Sequence, residues 1–192
     1  MKTIVLLICT LQLSLFAFDS KLEGFTVGAA AGIQQYGYIE TDDSRDVSHR
    51  EKDLDFSPLA EIFLGYGNAK VLFLASASTS YLHSIDFTRA DDNTTPEHFA
   101  KSIPKITIGG RFYPASQRVF KPQFYYGVEV GQIFLMEENR YQAQGIVFGF
   151  STGYELRRHV SAELKLLGGG TSAQDRYMSY YAAQALFVFT AF

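Results

Sequence analysis

Hydrophobic and polar positions alternate along most of this chain, in eight separate segments. The period is two residues, which is the side-chain period of a β-strand. The segments cover residues 22–39, 56–66, 70–83, 103–113, 123–135, 145–156, 160–167 and 177–192. In most of them one face carries aliphatic and aromatic side chains, whereas the other face is small or polar. The pattern predicts an all-β protein with eight antiparallel strands that follow one another as an up-and-down meander.

The last segment, residues 177–192, has no charge, no proline and no glycine, and both of its faces are mostly apolar. A soluble protein rarely ends on an uncovered hydrophobic strand, because its free edge would promote aggregation. Two interpretations follow from this segment alone. It closes a barrel within a lipid bilayer, or it is a core strand of a soluble β-sandwich or lipocalin-like barrel. The pattern does not indicate which of its faces would meet lipid.

The connections between the segments favour the membrane interpretation. Residues 40–55 and 85–102 form long polar loops, whereas 67–69 and 157–159 are short turns. Further connections are expected at 114–122, 137–144 and 168–176. Long loops at one end and short turns at the other are typical of transmembrane β-barrels. Aromatic residues near the segment ends predict the interfacial girdles of such a barrel; these are Tyr36, Tyr38, Tyr66, Phe112, Tyr113, Tyr154 and Phe192.

The N-terminus has the features of a secretory signal peptide. Lys2 precedes an apolar stretch over residues 4–16, and Ala17 is a small residue at a suitable cleavage point. The apolar stretch is short for a membrane-spanning helix. We therefore predict a signal peptide over residues 1–17 and a barrel domain over residues 18–192. The single cysteine, Cys9, lies within the signal, so the mature chain is expected to carry no disulfide and no cysteine metal site.

Composition agrees with a sheet protein and narrows the function. The chain contains 17 Phe, 12 Tyr, 16 Gly and only 5 Pro, a mixture that favours strands separated by turns. The formal net charge of −3 provides no basic surface for nucleic acid, so we expect no nucleic-acid partner. The four histidines, at positions 49, 83, 98 and 159, lack the spacing of zinc ligands. We expect no metal and no cofactor.

Taken together, these features resemble the small eight-stranded outer-membrane β-barrel proteins of Gram-negative bacteria. The resemblance rests on the signal peptide, the eight alternating segments, the sequence GFSTGY at residues 149–154, and the terminal Phe192. It implies location in the bacterial cell outer membrane, contact with outer-membrane lipid, and insertion by the barrel assembly machinery. In that family a C-terminal aromatic residue is the assembly signal, a role that the resemblance assigns to Phe192.

Seven charged residues fall on the small-residue faces of the segments and would point into the barrel if the apolar faces meet lipid. They are Glu61, Lys105, Arg111, Glu129, Glu155, Glu163 and Lys165. An eight-stranded barrel is just wide enough for its interior to be filled by side chains. Because buried charges need partners, we predict an ion-pair network that fixes the strand register and plugs the lumen. The alternative is a narrow path for ions or solutes.

These observations predict a structural or surface-interaction protein whose loops 40–55 and 85–102 contact a surface ligand. One alternative is a narrow channel for small or hydrophobic solutes. A further alternative is a lipid-modifying enzyme that uses His159 and Ser161 at a short turn, or His83 and Ser84, which lie where a segment enters a long loop. Neighbouring strand residues point to opposite faces, so the side chains of His83 and Ser84 would not meet without a bend. We therefore predict that the protein is not an enzyme.

Overall fold

The computed structural model describes residues 24–42, 48–49, 55–86, 99–114, 122–137, 140–157, 159–173 and 176–191. This part of the chain contains nine strands. They are β1 (Gly24–Asp42), β2 (Ser48–His49), β3 (Asp55–Gly67), β4 (Val71–Asp86), β5 (Phe99–Phe112), β6 (Phe124–Glu137), β7 (Arg140–Arg157), β8 (Val160–Ala173) and β9 (Arg176–Ala191). Within these ranges there is no helix of the length and apolarity that would cross a membrane.

The eight long strands form a closed barrel. From β3 to β9 each strand pairs antiparallel with its successor, β1 pairs with β3, and β1 also pairs with β9. The two residues of β2 pair only with Glu40 and Thr41 at the end of β1. The predicted eight-stranded, antiparallel, up-and-down barrel is therefore confirmed.

Closure of the barrel decides which face of the last strand points outward. β9 pairs with β1 on one side and with β8 on the other, so it has no free edge within the described residues. Phe187 and Phe189 are exposed on the exterior, whereas Leu186 and Val188 are buried in the lumen. The face that contains Tyr181, Ala183 and Phe187 thus belongs to the exterior.

Two predicted loops are wrong, because strands continue through them. β6 extends to Glu137 and β7 begins at Arg140, where the sequence predicted a polar loop over residues 137–144. β8 extends to Ala173 and β9 begins at Arg176, where a loop over residues 168–176 was expected. Polar residues paired across a hairpin satisfy the same backbone hydrogen bonds as apolar ones, so the end of the apolar pattern does not mark the end of a strand.

The connections define two ends of the barrel. The loop end carries residues 43–54, 87–98, 138–139 and 174–175, and the terminal end carries residues 68–70, 113–123 and 158–159 together with Gly24 and Ala191. The predicted separation of long and short connections is confirmed for the first two loops of the loop end. It is wrong in the second half of the chain, where the loop end has two tight hairpins and the terminal end has the longer connection 113–123.

Several predicted features lie outside the described residues. The signal peptide over residues 1–17, the terminal Phe192 and most of loops 40–55 and 85–102 belong to this group. The structure describes the margins of the two loops, where β1 continues to Asp42, β4 continues to Asp86 and β5 begins at Phe99, and it describes Ser48–His49 of β2 within the first loop.

Candidate functional site: a charge network in the barrel lumen

The exterior of the barrel is a continuous apolar belt. Phe25, Ile62 and Phe150 are typical of it, with exposed fractions of 73%, 65% and 69%. Their sequence neighbours Thr26, Glu61 and Ser151 point the other way, into the lumen. Soluble monomers rarely expose a contiguous apolar patch of more than a few hundred Å², whereas a barrel wall in a bilayer needs an outward apolar band. It is a transmembrane β-barrel. Small closed barrels of this kind belong to the bacterial outer membrane, as predicted.

The predicted aromatic girdle is partly confirmed. Tyr66 and Phe112 are exposed on the exterior at the terminal end, and Tyr66 packs against Phe25 with 5.0 Å between ring centroids. Tyr154, which is half-buried, lies 4.7 Å from Phe124 in the same way. Tyr36 and Tyr113 were wrongly included, because both are buried in the lumen. Tyr38 and Phe192 have no described side chains.

All seven predicted lumen charges lie on the inward faces of their strands. Six of these residues are buried, and Glu129 is half-buried. Five of the seven meet in one cluster, which we call the lumen network; its members are Glu61, Arg111, Glu129, Glu163 and Lys165. The cluster joins strands β3, β5, β6 and β8 across the interior.

Arg111 and Glu163 form one half of the lumen network. The Arg111 Nη2 donates to Glu163 Oε2 at 2.6 Å, and the Tyr125 hydroxyl donates to the same oxygen, also at 2.6 Å. The Arg111 guanidinium lies over two aromatic rings, 4.9 Å from the centroid of Tyr125 and 5.1 Å from that of Phe63. Charge-assisted hydrogen bonds and ring stacking together compensate for burial of the guanidinium.

Lys165 connects the other carboxylates. Its Nζ donates to Glu61 Oε2 at 2.9 Å and to Glu129 Oε2 at 3.0 Å, and lies 3.8 Å from Glu163 Oε1. One ammonium group therefore faces three carboxylates from three different strands. Glu61 and Glu163 are buried and Glu129 is half-buried, so the shared cation compensates for the hydration that these carboxylates have lost.

Lys105 lies outside the lumen network, in a layer of neutral polar groups. Its Nζ donates to Gln34 Oε1 at 3.2 Å and lies 6.0 Å from the ring centroid of Tyr180. Gln184 Nε2 donates to the same Gln34 oxygen at 2.7 Å, and Gln34 Nε2 donates to Ser80 Oγ at 3.1 Å. Among the described residues, no carboxylate lies within ion-pair distance of Lys105.

The polar partners Gln34, Ser80, Gln184, Tyr125 and Tyr180 were missed, because charge alone was used to select lumen residues. Each of them lies on the inward phase of its strand alternation, so the pattern contained the signal that would have identified them.

Glu155 lies near the end of β7. It is buried, and its backbone N–H donates to the Gln123 carbonyl at 2.9 Å, which ties the start of β6 to the end of β7. The ion pairs described above join five of the seven predicted charges; that the charges fix the strand register and plug the lumen stays a prediction.

Glycines on the inward faces make room for the large side chains of the lumen. The Tyr125 ring occupies the space in which a Cβ of Gly153 would stand, and the Phe63 ring does the same at Gly28. Any larger residue at Gly153 would displace the ring whose hydroxyl is bound to Glu163.

The remaining free space inside the lumen network is small. A cavity of about 20 Å³ is lined by Glu61, Arg111, Glu129 and Lys165, among other residues. Such a volume corresponds to about one water molecule.

The residues considered for catalysis do not form a described site. The side chains of His83 and Ser84 lie outside the described residues. His159 Nδ1 is 2.8 Å from the Thr190 carbonyl, and the Thr190 N–H donates to the His159 carbonyl at 2.9 Å. His159 thus fastens the turn after β7 to the end of β9. Among the described side chains, no group of three or more His, Cys, Asp or Glu could hold a metal ion.

Comparison with known proteins gives structural likeness only. No protein-family model and no curated protein sequence matches the chain. One similar structure is that of Ail, the attachment invasion locus protein of Yersinia pestis, in complex with the heparin analogue sucrose octasulfate. Ail is 10% identical to this chain, with a TM-score of 0.43, and the match covers 86% of this chain and 99% of Ail. Neisserial surface protein A is 12% identical over 84% of this chain and 95% of its own, with a TM-score of 0.43.

The N-terminal β-barrel domain of Pseudomonas aeruginosa OprF is 11% identical over 85% of this chain and 97% of that domain, with a TM-score of 0.39. Identities and TM-scores this low assign no function, so the proposals below rest on this chain's own residues.

Proposed function

We propose that the protein is an outer-membrane barrel with a plugged lumen, which anchors its loops at the cell surface for contact with an external ligand. The lumen network is the observation that supports a plugged lumen. Arg111 and Lys165 bind carboxylates from β3, β6 and β8, so ion pairs span the interior in more than one direction. Ion pairs across the interior favour a rigid barrel with a plugged lumen over a channel for solutes.

The loop end supports the surface role. Two of its connections, residues 43–54 and 87–98, are longer than a hairpin turn requires. The strands that carry these loops continue as paired, polar segments: β1 remains paired with β9 to Asp42, opposite Arg176. The barrel thus presents a stiff base from which loops can reach a partner.

Conductance in a planar bilayer tests the plug. We expect the folded wild-type barrel to show no steady single-channel current, because the cavity inside the network holds about one water molecule. Reproducible unitary conductance of the wild type would overturn the proposal and favour the narrow channel.

Surface labelling of intact cells tests the role of the loops. An epitope inserted in residues 43–54 or 87–98 should be labelled by antibody without permeabilisation, whereas one inserted in residues 113–123 should require it. The opposite pattern would contradict the proposed orientation. We further propose that the protein has no enzymatic activity; turnover of phospholipid or lipid A that a His83→Ala variant abolishes would contradict this.

A further inference from the structure

The exterior wall contains a hollow around Gly110, with a volume of about 920 Å³. Gly110 points outward in β5, directly between Phe73 of β4 and Val128 of β6. A Cβ at this position would meet only the Leu72 carbonyl oxygen, at 3.6 Å, so the glycine leaves open space at the centre of the surrounding side chains. We call this feature the outer hollow.

Large apolar side chains form the walls of the outer hollow. Phe73, Ile108, Phe112, Tyr126 and Val128 line it, and each is between 52% and 65% exposed. These residues belong to β4, β5 and β6, and Phe148 and Phe150 of β7 also line the hollow, so its walls stand on four neighbouring strands of a hydrogen-bonded sheet. The hollow is therefore a built feature of the wall and does not depend on a loop.

The outer hollow extends from the middle of the apolar belt, at Val130 and Phe148, to its terminal-end edge. Phe112 is the last residue of β5, and Val71, which also lines the hollow, is the first residue of β4. The exposed Lys70 precedes Val71 in the turn, and the Tyr113 N–H donates to the Lys70 carbonyl at 2.8 Å, which fixes this turn beside Phe112. Lys70 is three residues from Phe73, or about 10 Å along an extended strand.

We propose that the outer hollow binds one glycerophospholipid, with an acyl chain over Gly110 and the phosphate beside Lys70. The hollow opens into the bilayer, and its apolar walls disfavour water, so hydrocarbon must fill it. Its volume lies in the range of small-molecule sites, about 300–1,000 Å³. A cation at the rim, about 10 Å from the floor, matches a molecule whose apolar chain ends in a phosphate. This inference goes beyond the proposed function and depends only on the membrane-spanning exterior.

Native mass spectrometry of the detergent-purified barrel with added phosphatidylglycerol tests the site. We expect the wild type to retain one phospholipid at a collision energy that removes all others. Gly110→Leu should retain far less, because its side chain occupies the floor of the hollow between Phe73 and Val128, where the acyl chain would lie. Gly168→Leu is the matched control: Gly168 is also exposed on a barrel strand, and a Cβ there meets nothing within 4 Å. This control should retain the phospholipid.

Lys70→Gln provides a second variant that the fold tolerates, because Lys70 is exposed in a turn. It should weaken phosphatidylglycerol retention roughly two- to five-fold, the range of an exposed ion pair. Heat-modifiable gel migration establishes that each variant is folded. Equal retention by wild type and Gly110→Leu, equal loss in the Gly168→Leu control, or a dimer that Gly110→Leu converts to monomer would each overturn the proposal; the last outcome would identify a second copy as the occupant.

Discussion

Two buried lysines face the same lumen with different partners. Lys165 has three carboxylates within 4 Å, whereas Lys105 contacts the neutral oxygen of Gln34 and the ring of Tyr180. Both side chains are 3% exposed. Equal burial of the two lysines therefore does not imply that their charges contribute equally to the stability of the barrel. Removing Lys165 leaves carboxylates without their cation, whereas removing Lys105 breaks no direct ion pair among the described residues.

The largest expected effect comes from Lys165→Met. The substitution preserves much of the side-chain volume but deprives Glu61 and Glu129 of the cation that they share. Leaving buried charges unpaired costs about 3–5 kcal/mol. The midpoint of urea unfolding in lipid vesicles should fall accordingly. An unchanged midpoint would show that the lumen network does not stabilise the barrel.

Arg111→Ala should destabilise the barrel by about 3 kcal/mol, at the lower end of the same range. Glu163 would keep the Tyr125 hydroxyl at 2.6 Å and Lys165 at 3.8 Å, so part of its compensation remains. The double variant Arg111→Ala/Glu163→Ala should lose less than the sum of the single variants. Strict additivity in this cycle would contradict direct coupling of the pair.

Gly153→Ala should cost about 1–3 kcal/mol, as overpacking of a filled interior does. The added methyl group occupies the position of the Tyr125 ring and displaces the hydroxyl that binds Glu163. Gly168→Ala is the matched control, because it adds the same methyl group in open space. The urea midpoint of Gly153→Ala should be clearly lower than that of Gly168→Ala. Equal midpoints would show that the conformational entropy of the unfolded chain, and not displacement of the Tyr125 ring, determines the effect.

The smallest effect is expected for Lys105→Met, within about 1 kcal/mol of the wild type, because only a hydrogen bond to Gln34 is lost and the Gln34 oxygen still accepts one from Gln184. This variant sharpens the comparison with Lys165→Met, since the two substitutions are chemically identical. If both lower the urea midpoint equally, charge balance across the whole lumen, and not direct contact, determines its stability.

The sequence predicted much of this architecture because strand alternation has a period of two, and a bilayer imposes that period on every strand of a barrel wall. Inward and outward positions such as Glu61 and Ile62, or Lys165 and Leu166, could be assigned from the pattern alone. The same argument placed all seven charges in the lumen. The alternation of hydrophobic and polar residues did not predict the strand ends that lie beyond the apolar belt. The paired segments that end at Glu137 and begin again at Arg140 are polar, so hydrophobicity located the edge of the belt and not the end of the strand.

Tertiary structure alone decided the partners and the closing face. Alternation states that Arg111 and Glu163 both point inward, but 52 residues separate them, and only the pairing of all eight strands brings their atoms to 2.6 Å. For β9, whose two faces are both apolar, the outward face follows from pairing with β1 and β8, since a one-residue shift of register would exchange the faces. The separation of Lys105 from the lumen network and the hollow over Gly110 depend on neighbours from other strands, which no single strand specifies.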